Sequence, residues 1–413
     1  MERVVITGMG VISPIGNDVE TFWNNLSQGK SGIAPIDTFD TERYKTKFAG
    51  LVRDFDAAAI FGRKEARRMD RFAQFAVAAA EQAVQDAGLD MDKVERERVG
   101  VYVGSGIGGI DTLIEQQTNL FNRGPERISP LLVPVMIANS AAATISIRLG
   151  TWGPTLCPVT ACSIGNTAIG EAMRLIRSGD ADVVIAGGSE AAINEVSVAG
   201  FSNSTALSER NDDPTAASRP FDKDRDGFVM AEGAGIVVLE SLRHAQARGA
   251  RIYAEVIGYG ASSDAYHMVA SHPEGRGAWL AMRQALSNAS ITTDDVDVIS
   301  AHATSTGVGD ISETLAIKQL FGERAYDIPV TANKSITGHM LGAAGGAEAI
   351  ALVHTLREGL IPPTLNLHNP DPVCDLDYVP NTPRTADVKI GLSNSFGFGG
   401  HNAVIVLKRY DEQ

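Results

Sequence analysis

The chain is poor in cysteine and in positive charge, and it has no long apolar run. Each lack excludes something. Only three cysteines occur among 413 residues, Cys157, Cys162 and Cys374, an odd number at scattered positions. They make neither a disulfide framework nor a metal site, so a reduced, cytoplasmic setting is expected. Lys and Arg number 36 against 50 Asp and Glu, a formal net charge of −14. That balance argues against nucleic acid or an anionic membrane as the main partner. No apolar stretch is long enough to span a bilayer, and Met1-Glu2-Arg3 does not open a secretion signal. The length calls for two domains or one large duplicated unit.

Two motif-like stretches lack a defining residue. Val4-Val5-Ile6 followed by a turn at Gly8-Met9-Gly10 begins like a dinucleotide site, but Ser13 stands where a third glycine belongs. Asp222-Lys223-Asp224-Arg225-Asp226-Gly227 begins like a calcium loop, but its twelfth position is Gly233, with Glu232 one place early. A structured polar turn is the better reading. One pattern is complete: Gly104-Ser105-Gly106-Ile107-Gly108-Gly109 follows the strand-like Val99-Gly100-Val101-Tyr102-Val103 and matches G-x-G-x-x-G. It is the basis for a dinucleotide-dependent oxidoreductase as an alternative. No second strand with a terminal acid lies at the proper distance, and a glycine turn that lets backbone approach a neighbouring site explains it equally.

The most informative stretch is Pro158-Val159-Thr160-Ala161-Cys162-Ser163-Ile164-Gly165-Asn166. A helical run follows, with apolar Ile164, Ala168, Ile169, Ala172, Leu175 and Ile176 at helical spacing, closed by Gly179. The buried-strand pattern Val183-Val184-Ile185-Ala186 comes next. Cys162 is thus expected at a helix N-terminus, where free N–H groups and the macrodipole lower a thiol's pKa. Upstream, spacing predicts one helix over residues 63–87, whose first turns carry Arg63, Lys64, Arg67, Arg68 and Arg71. Cations there oppose the macrodipole and are out of character in so acidic a chain; a solvated face and a docking patch for an acidic partner are both open.

From about residue 251 a second set of strands and helices begins. It carries His302 at the end of Val296-Asp297-Val298-Ile299-Ser300, and His339 after Lys334-Ser335-Ile336-Thr337-Gly338. The halves look duplicated: with His339 over Cys162, Gly342 falls on Gly165, Glu348 on Glu171, Ala349 on Ala172 and Leu352 on Leu175. Two copies of one α/β unit about a pseudo-twofold would bring both helix starts to one site. A cysteine at a helix start with two imidazoles and a lysine nearby favours nucleophilic acyl chemistry.

Over essentially its whole length the sequence resembles the elongating, synthase II-like β-ketoacyl-acyl-carrier-protein synthases, condensing enzymes of the thiolase-fold family. The resemblance rests on Thr160-Ala161-Cys162, on His302-x-Thr304-Ser305-Thr306, and on Lys334-Ser335-x-Thr337-Gly338-His339. It also rests on Arg219-Pro220-Phe221-Asp222 through Glu232-Gly233, and on Ser393-Asn394-Ser395-Phe396-Gly397-Phe398-Gly399-Gly400-His401-Asn402.

The resemblance implies a thiolase-like α/β fold of two duplicated halves, residues 1–250 and 251–413, in five α-β-α-β-α layers. The first half would carry the nucleophile and the second both catalytic histidines. It implies decarboxylative Claisen condensation of an acyl-enzyme with malonyl-acyl carrier protein, lengthening a fatty acyl chain by two carbons. Cys162 would be the nucleophile, and the Cys162 and Phe398 N–H groups the oxyanion hole. His302 and His339 would stabilise the enolate, while Lys334 would hold the electrostatics against Glu348. Thr304 and Thr306 would bind the pantetheine arm, with Phe398 as a gate. Ile107, Phe201 and Leu132 would shape the acyl pocket, Leu132 from the partner subunit's side, and Lys64, Arg67 and Arg68 would dock the carrier protein. A homodimer, no metal and no resident cofactor are implied, since phosphopantetheine arrives on the carrier. Gly307, Asn333 and Leu132 depart from the usual pattern, and Leu132 leaves chain-length preference open. A thiolase-type acyl-CoA acyltransferase is the alternative on the same fold. Its second cysteine would have to be Cys374, in Asp371-Pro372-Val373-Cys374-Asp375 without the expected glycines. An initiating condensing enzyme would carry Asn in place of His339.

Overall fold

Five strands in the first half and five in the second follow the same course. The computed structural model, which describes residues 2–411, shows this directly. In chain order the first set is Val4–Ile12, Val99–Gly104, Thr155–Leu156, Val183–Glu190 and Gly233–Ser241; the second is Ala254–Ser263, Val298–Ser300, Val330–Thr331, Ile390–Gly397 and His401–Arg409. In space each set runs first, fifth, fourth, second, third. The two first strands pair antiparallel through Val5 with Glu255 and Ile6 with Ala254, so the ladder is continuous across a pseudo-twofold.

Helices sort into layers according to what they bury. Ile164–Ser178 and Ala344–Glu358 pack on each other and on strands of both halves, joining Ile169, Met173, Ala347 and Ile350 with Val184, Val237 and Ile405 in one core. Arg71–Asp86 and Ser140–Leu149 cover the outer face of the first half through Phe72, Phe75, Ala76 and Ile145. Burying Phe72 and Phe75 contributes roughly 1.5–3 kcal/mol each. Arg276–Ala289 and Gly309–Phe321 cover the second half through Ala281, Met282, Ala285 and Ile317. The five layers are therefore helix, sheet, helix, sheet, helix, the thiolase-like arrangement.

Three expectations need correction. The helix predicted over residues 63–87 is two: Arg63–Ala66, then Arg71–Asp86 capped by the Asp70 carboxylate, which accepts the Phe72 N–H. Of the basic residues only Arg71 opens the long helix, and the buried Glu232 carboxylate neutralises it at 2.7 Å. The turn predicted at Gly8-Met9-Gly10 is strand interior; side chains on Gly8 and Gly10 would overlap the Ala83 and Ala79 carbonyls of the covering helix. The repeat offset is 180 residues rather than 177. Three-residue turns Ala161–Ser163 and Leu341–Ala343, entered at φ of 51° and 48°, lead into the two central helices. Gly342, not His339, thus matches Cys162. Three residues is nearly one helical turn, so the apolar pattern fits itself at either offset.

Candidate active site

Cys162 lies in the Ala161–Ser163 turn, just ahead of the first central helix. The left-handed backbone at Ala161 is costly for a non-glycine residue, and such strain concentrates at functional sites. The Ser163 hydroxyl donates to the Thr160 carbonyl at 2.7 Å and helps hold the turn. The thiol meets a cavity of about 500 Å³ where the two halves join. Its walls bring together Cys162, His302, His339, Thr304, Thr306, Ile107, Phe201 and Phe398.

His302 follows the strand Val298–Ser300, and its N–H donates to Glu313 at 2.9 Å. His339 follows Gly338, and its N–H and C=O bond to Val229 and Ala231. The rings stand edge to face with centroids 5.4 Å apart, Phe228 and Phe396 flanking them. Neither imidazole hydrogen-bonds to the protein among the described residues, and both Nδ1 atoms are buried. Burial, then the charge of Lys334, holds both imidazoles well below the usual histidine range, so both are neutral near pH 7. A neutral imidazole can still donate one hydrogen bond to an oxyanion without bringing in a buried charge.

Lys334 and Glu348 do not line the cavity. They form a buried ion pair behind the histidines. Burial pushes the Glu348 carboxyl up to about 7 while Lys334 pulls it down. The thiol departs from expectation. Burial pushes Cys162 up to about 11, outweighing the Phe398 N–H, the Lys334 charge and its own N–H, which favour the thiolate. A short turn at the helix start does not offset this burial, so the resting group is a thiol.

Leu132 and the docking residues lie outside this cavity. Leu132, at the start of Leu132–Met136, lines a separate surface groove of about 990 Å³ together with Arg63, Arg67 and Arg71. It does not line this chain's own cavity. Lys64, Arg67 and Arg68 are exposed beside that groove, with only Arg68 paired, to Glu65 at 3.2 Å. Phe201 and Phe398, both on the wall of the Cys162 cavity, approach at 6.1 Å between ring centroids.

Several buried charges escaped the sequence reading. Glu190, ending Val183–Glu190, accepts from Ser105, Gly106, Ile107 and Gly342. Those N–H groups include the glycine pattern's own, so a carboxylate of the chain occupies the place a cofactor phosphate would take. Glu313 accepts the His302 and Ala303 N–H groups and the Asn394 amide. The Arg225 guanidinium donates to the Thr306 and Gly307 carbonyls, fixing the loop that carries Thr304 and Thr306. In the calcium-like turn, the Asp222 carboxylate accepts the N–H groups of Asp224, His368 and Asn369, which makes it a structural corner. The only sequence trace of Glu190 is an acid closing an otherwise uncharged strand. Cys374 is buried beside Thr314 and Tyr378, away from the cavity, which removes the second cysteine a thiolase reading needs.

Comparison with known proteins finds relatives over nearly the whole chain. The family Beta-ketoacyl synthase, N-terminal domain, matches residues 1–245, and Beta-ketoacyl synthase, C-terminal domain, matches residues 253–368. The chain is 52% identical over 409 residues to a 3-oxoacyl-(acyl-carrier-protein) synthase 2 of Synechocystis sp., covering 99% of this chain and 98% of that protein. It is 51% identical over 410 residues to a protein of the same name from Staphylococcus aureus, covering 99% of both. Among solved structures it is similar to a type II polyketide-synthase ketosynthase in complex with its acyl-carrier protein, at TM-score 0.93 and 38% identity over 99% of this chain and 100% of that one. A β-ketoacyl synthase from Burkholderia phymatum is similar at TM-score 0.92 and 34% identity, covering 100% of both chains.

Proposed function

The chain belongs to the β-ketoacyl synthase family, and on that premise we propose that it joins an acyl chain held on Cys162 to malonyl-acyl carrier protein. It is a 3-oxoacyl-(acyl-carrier-protein) synthase, a condensing acyltransferase of fatty acid biosynthesis. The observation that carries this reading is one cavity holding a strained-turn cysteine and two neutral, unpartnered imidazoles.

In the first half-reaction the Cys162 sulfur attacks the thioester carbonyl of an acyl carrier protein. The carbon–sulfur bond to pantetheine breaks, and the thiol proton leaves on the departing sulfur. The Cys162 and Phe398 N–H groups, already directed at charge on the cysteine, hold the tetrahedral oxyanion; one such donor contributes about 2.7–4 kcal/mol. In the second, malonyl-carrier protein loses CO₂, and the freed electron pair makes an enolate whose oxygen His302 and His339 hold. The enolate carbon bonds to the acyl carbon, and the carbon–sulfur bond to Cys162 breaks, leaving a thiolate that takes up a proton. The buried pair Lys334 and Glu348 sets the field behind the imidazoles. Thr304 and Thr306, with hydroxyls 3.2 Å apart on the cavity wall, offer donors for the pantetheine amides.

Lys64, Arg67 and Arg68 receive the acidic carrier protein, and phosphopantetheine arriving on it leaves no need for a resident cofactor. A homodimer is supported by the edge strand Thr155–Leu156 and by exposed Ile147, Trp152 and Val159 beside it, an apolar face that water disfavours. No helix among the described residues is long and apolar enough to cross a membrane. Action in the cytoplasm fits three free cysteines. The test supplies acyl-carrier protein and then malonyl-carrier protein, following CO₂ and product mass. A 3-oxo product two carbons longer, formed with one CO₂ per turnover, is expected. Extension without loss of CO₂, or turnover that requires a nicotinamide, overturns the assignment.

A further inference from the structure

We propose that Glu190 is a positioning residue that sets the inner wall of the acyl pocket, holding Ile107 and the His339 segment on one carboxylate. This rests on the condensing-enzyme reading above. Glu190 ends a strand whose eight residues are all buried. One carboxylate oxygen accepts the Ser105 hydroxyl at 2.7 Å and the Ile107 N–H at 3.0 Å. The other accepts the Gly106 N–H at 2.9 Å and the Gly342 N–H at 3.2 Å. The Ser105 oxygen already accepts the Gly108 N–H at 3.0 Å, so its proton is free for Glu190.

Four donors thus converge on one anion, from the glycine loop and from the turn that follows His339. Ile107 and Glu190 share the wall of the Cys162 cavity, and no side chain lies between the loop and the carboxylate. A Cβ on Gly106 would lie 2.9 Å from the carboxylate oxygen, and one on Gly342 2.8 Å from it. The glycines are there because the acid must come this close. Glutamine cannot replace it: whichever way the amide turns, its NH₂ faces an N–H that needs an acceptor. The charge also reaches the nucleophile, since Glu190 is one of the groups that disfavour the Cys162 thiolate. Removing that charge should ease ionisation of the thiol, a second readout beside the chain-length ratio.

The experiment compares wild type, Glu190→Gln and Ser105→Ala. Acylation of Cys162 is measured with short, medium and long acyl-carrier proteins, and the thiol's alkylation rate is measured against pH without substrate. A wall moved by about one methylene changes selectivity by about tenfold or more. The ratio of kcat/KM for long over short chains in Glu190→Gln is therefore expected to shift by at least that factor, with alkylation rising at lower pH. Ser105→Ala, which removes one donor of four, shifts the ratio in the same direction by less, and decides the matter if Glu190→Gln does not fold. An unchanged chain-length ratio in folded variants overturns the proposal, whatever their melting temperatures. Wild type that accepts no acyl group from any carrier protein overturns the condensing-enzyme reading itself, which separates the two failures.

Discussion

At the scale of single residues, the site has one sulfur and two neutral rings with different tasks. Enolate stabilisation belongs only to the second half-reaction, so His302→Ala or His339→Ala should slow condensation by roughly 10²–10³-fold, the loss typical of one oxyanion donor. Acylation of Cys162 should fall much less. Separate measurement of acyl loading and of CO₂ release checks this, and equal loss of both would contradict the division. Burial of the thiol carries a pH dependence. A folded pKa near 11, above the unfolded value of about 8.5, means stability from the neutral thiol is present below that value and lost as pH rises toward 11. Over the same range the thiolate fraction grows, so iodoacetamide alkylation of the free protein should rise about tenfold per unit between pH 7 and 9. A plateau near neutrality would show that the helix start prevails over burial. Cys162, His302 and His339 were legible because each sits in a short run of distinctive neighbours. Glu190 and Glu313 were not, because their partners are mainly backbone N–H groups, which every residue type supplies.

At the scale of elements, the helix break at Asp70 changes what the basic residues do. Lys64, Arg67 and Arg68 stand on a short helix and the turn after it, exposed and free of the long helix's dipole. Reversing all three charges should lower kcat/KM for carrier-protein substrates by on the order of tenfold at low salt, through lost steering, and flatten its salt dependence. Small thioester mimics should react at the wild-type rate. Equal slowing of both substrate types would assign the residues to folding instead. Apolar periodicity read the central and outer helices well, with Ile164–Ser178 ending at Gly179 as spacing required. It failed at residues 63–87 because a four-residue turn, Arg67 to Asp70, interrupts the helix without disturbing the apolar pattern. It also failed at Gly8 and Gly10, where glycine serves close packing in a strand and has the same composition as a turn.

For the whole molecule, duplication places chemistry from both halves on one axis: the first turn supplies Cys162, and the second half supplies His302, His339 and Phe398. The two-half plan was legible from repeated strand–helix order, while its register was not, since helical periodicity tolerates a slip of three residues. The exposed face around Ile147, Trp152, Leu156 and Val159 predicts a dimer at this scale. Val159→Asp should shift the sedimenting species toward monomer, since a charge facing its own copy across a twofold is both desolvated and repelled. Wild type that sediments as a monomer would contradict the dimer. A covalent acyl-enzyme on Cys162 is detected by intact mass and fragmentation after exposure to acyl-carrier protein alone. Cys157 and Cys162 share one tryptic peptide, because no Lys or Arg lies between Gly150 and Met173, so fragment ions must place the group. One acyl mass on Cys162 is expected in wild type and none in folded Cys162→Ala; acylation of Cys157 or Cys374, or of Cys162→Ala, would rule out Cys162 as the nucleophile.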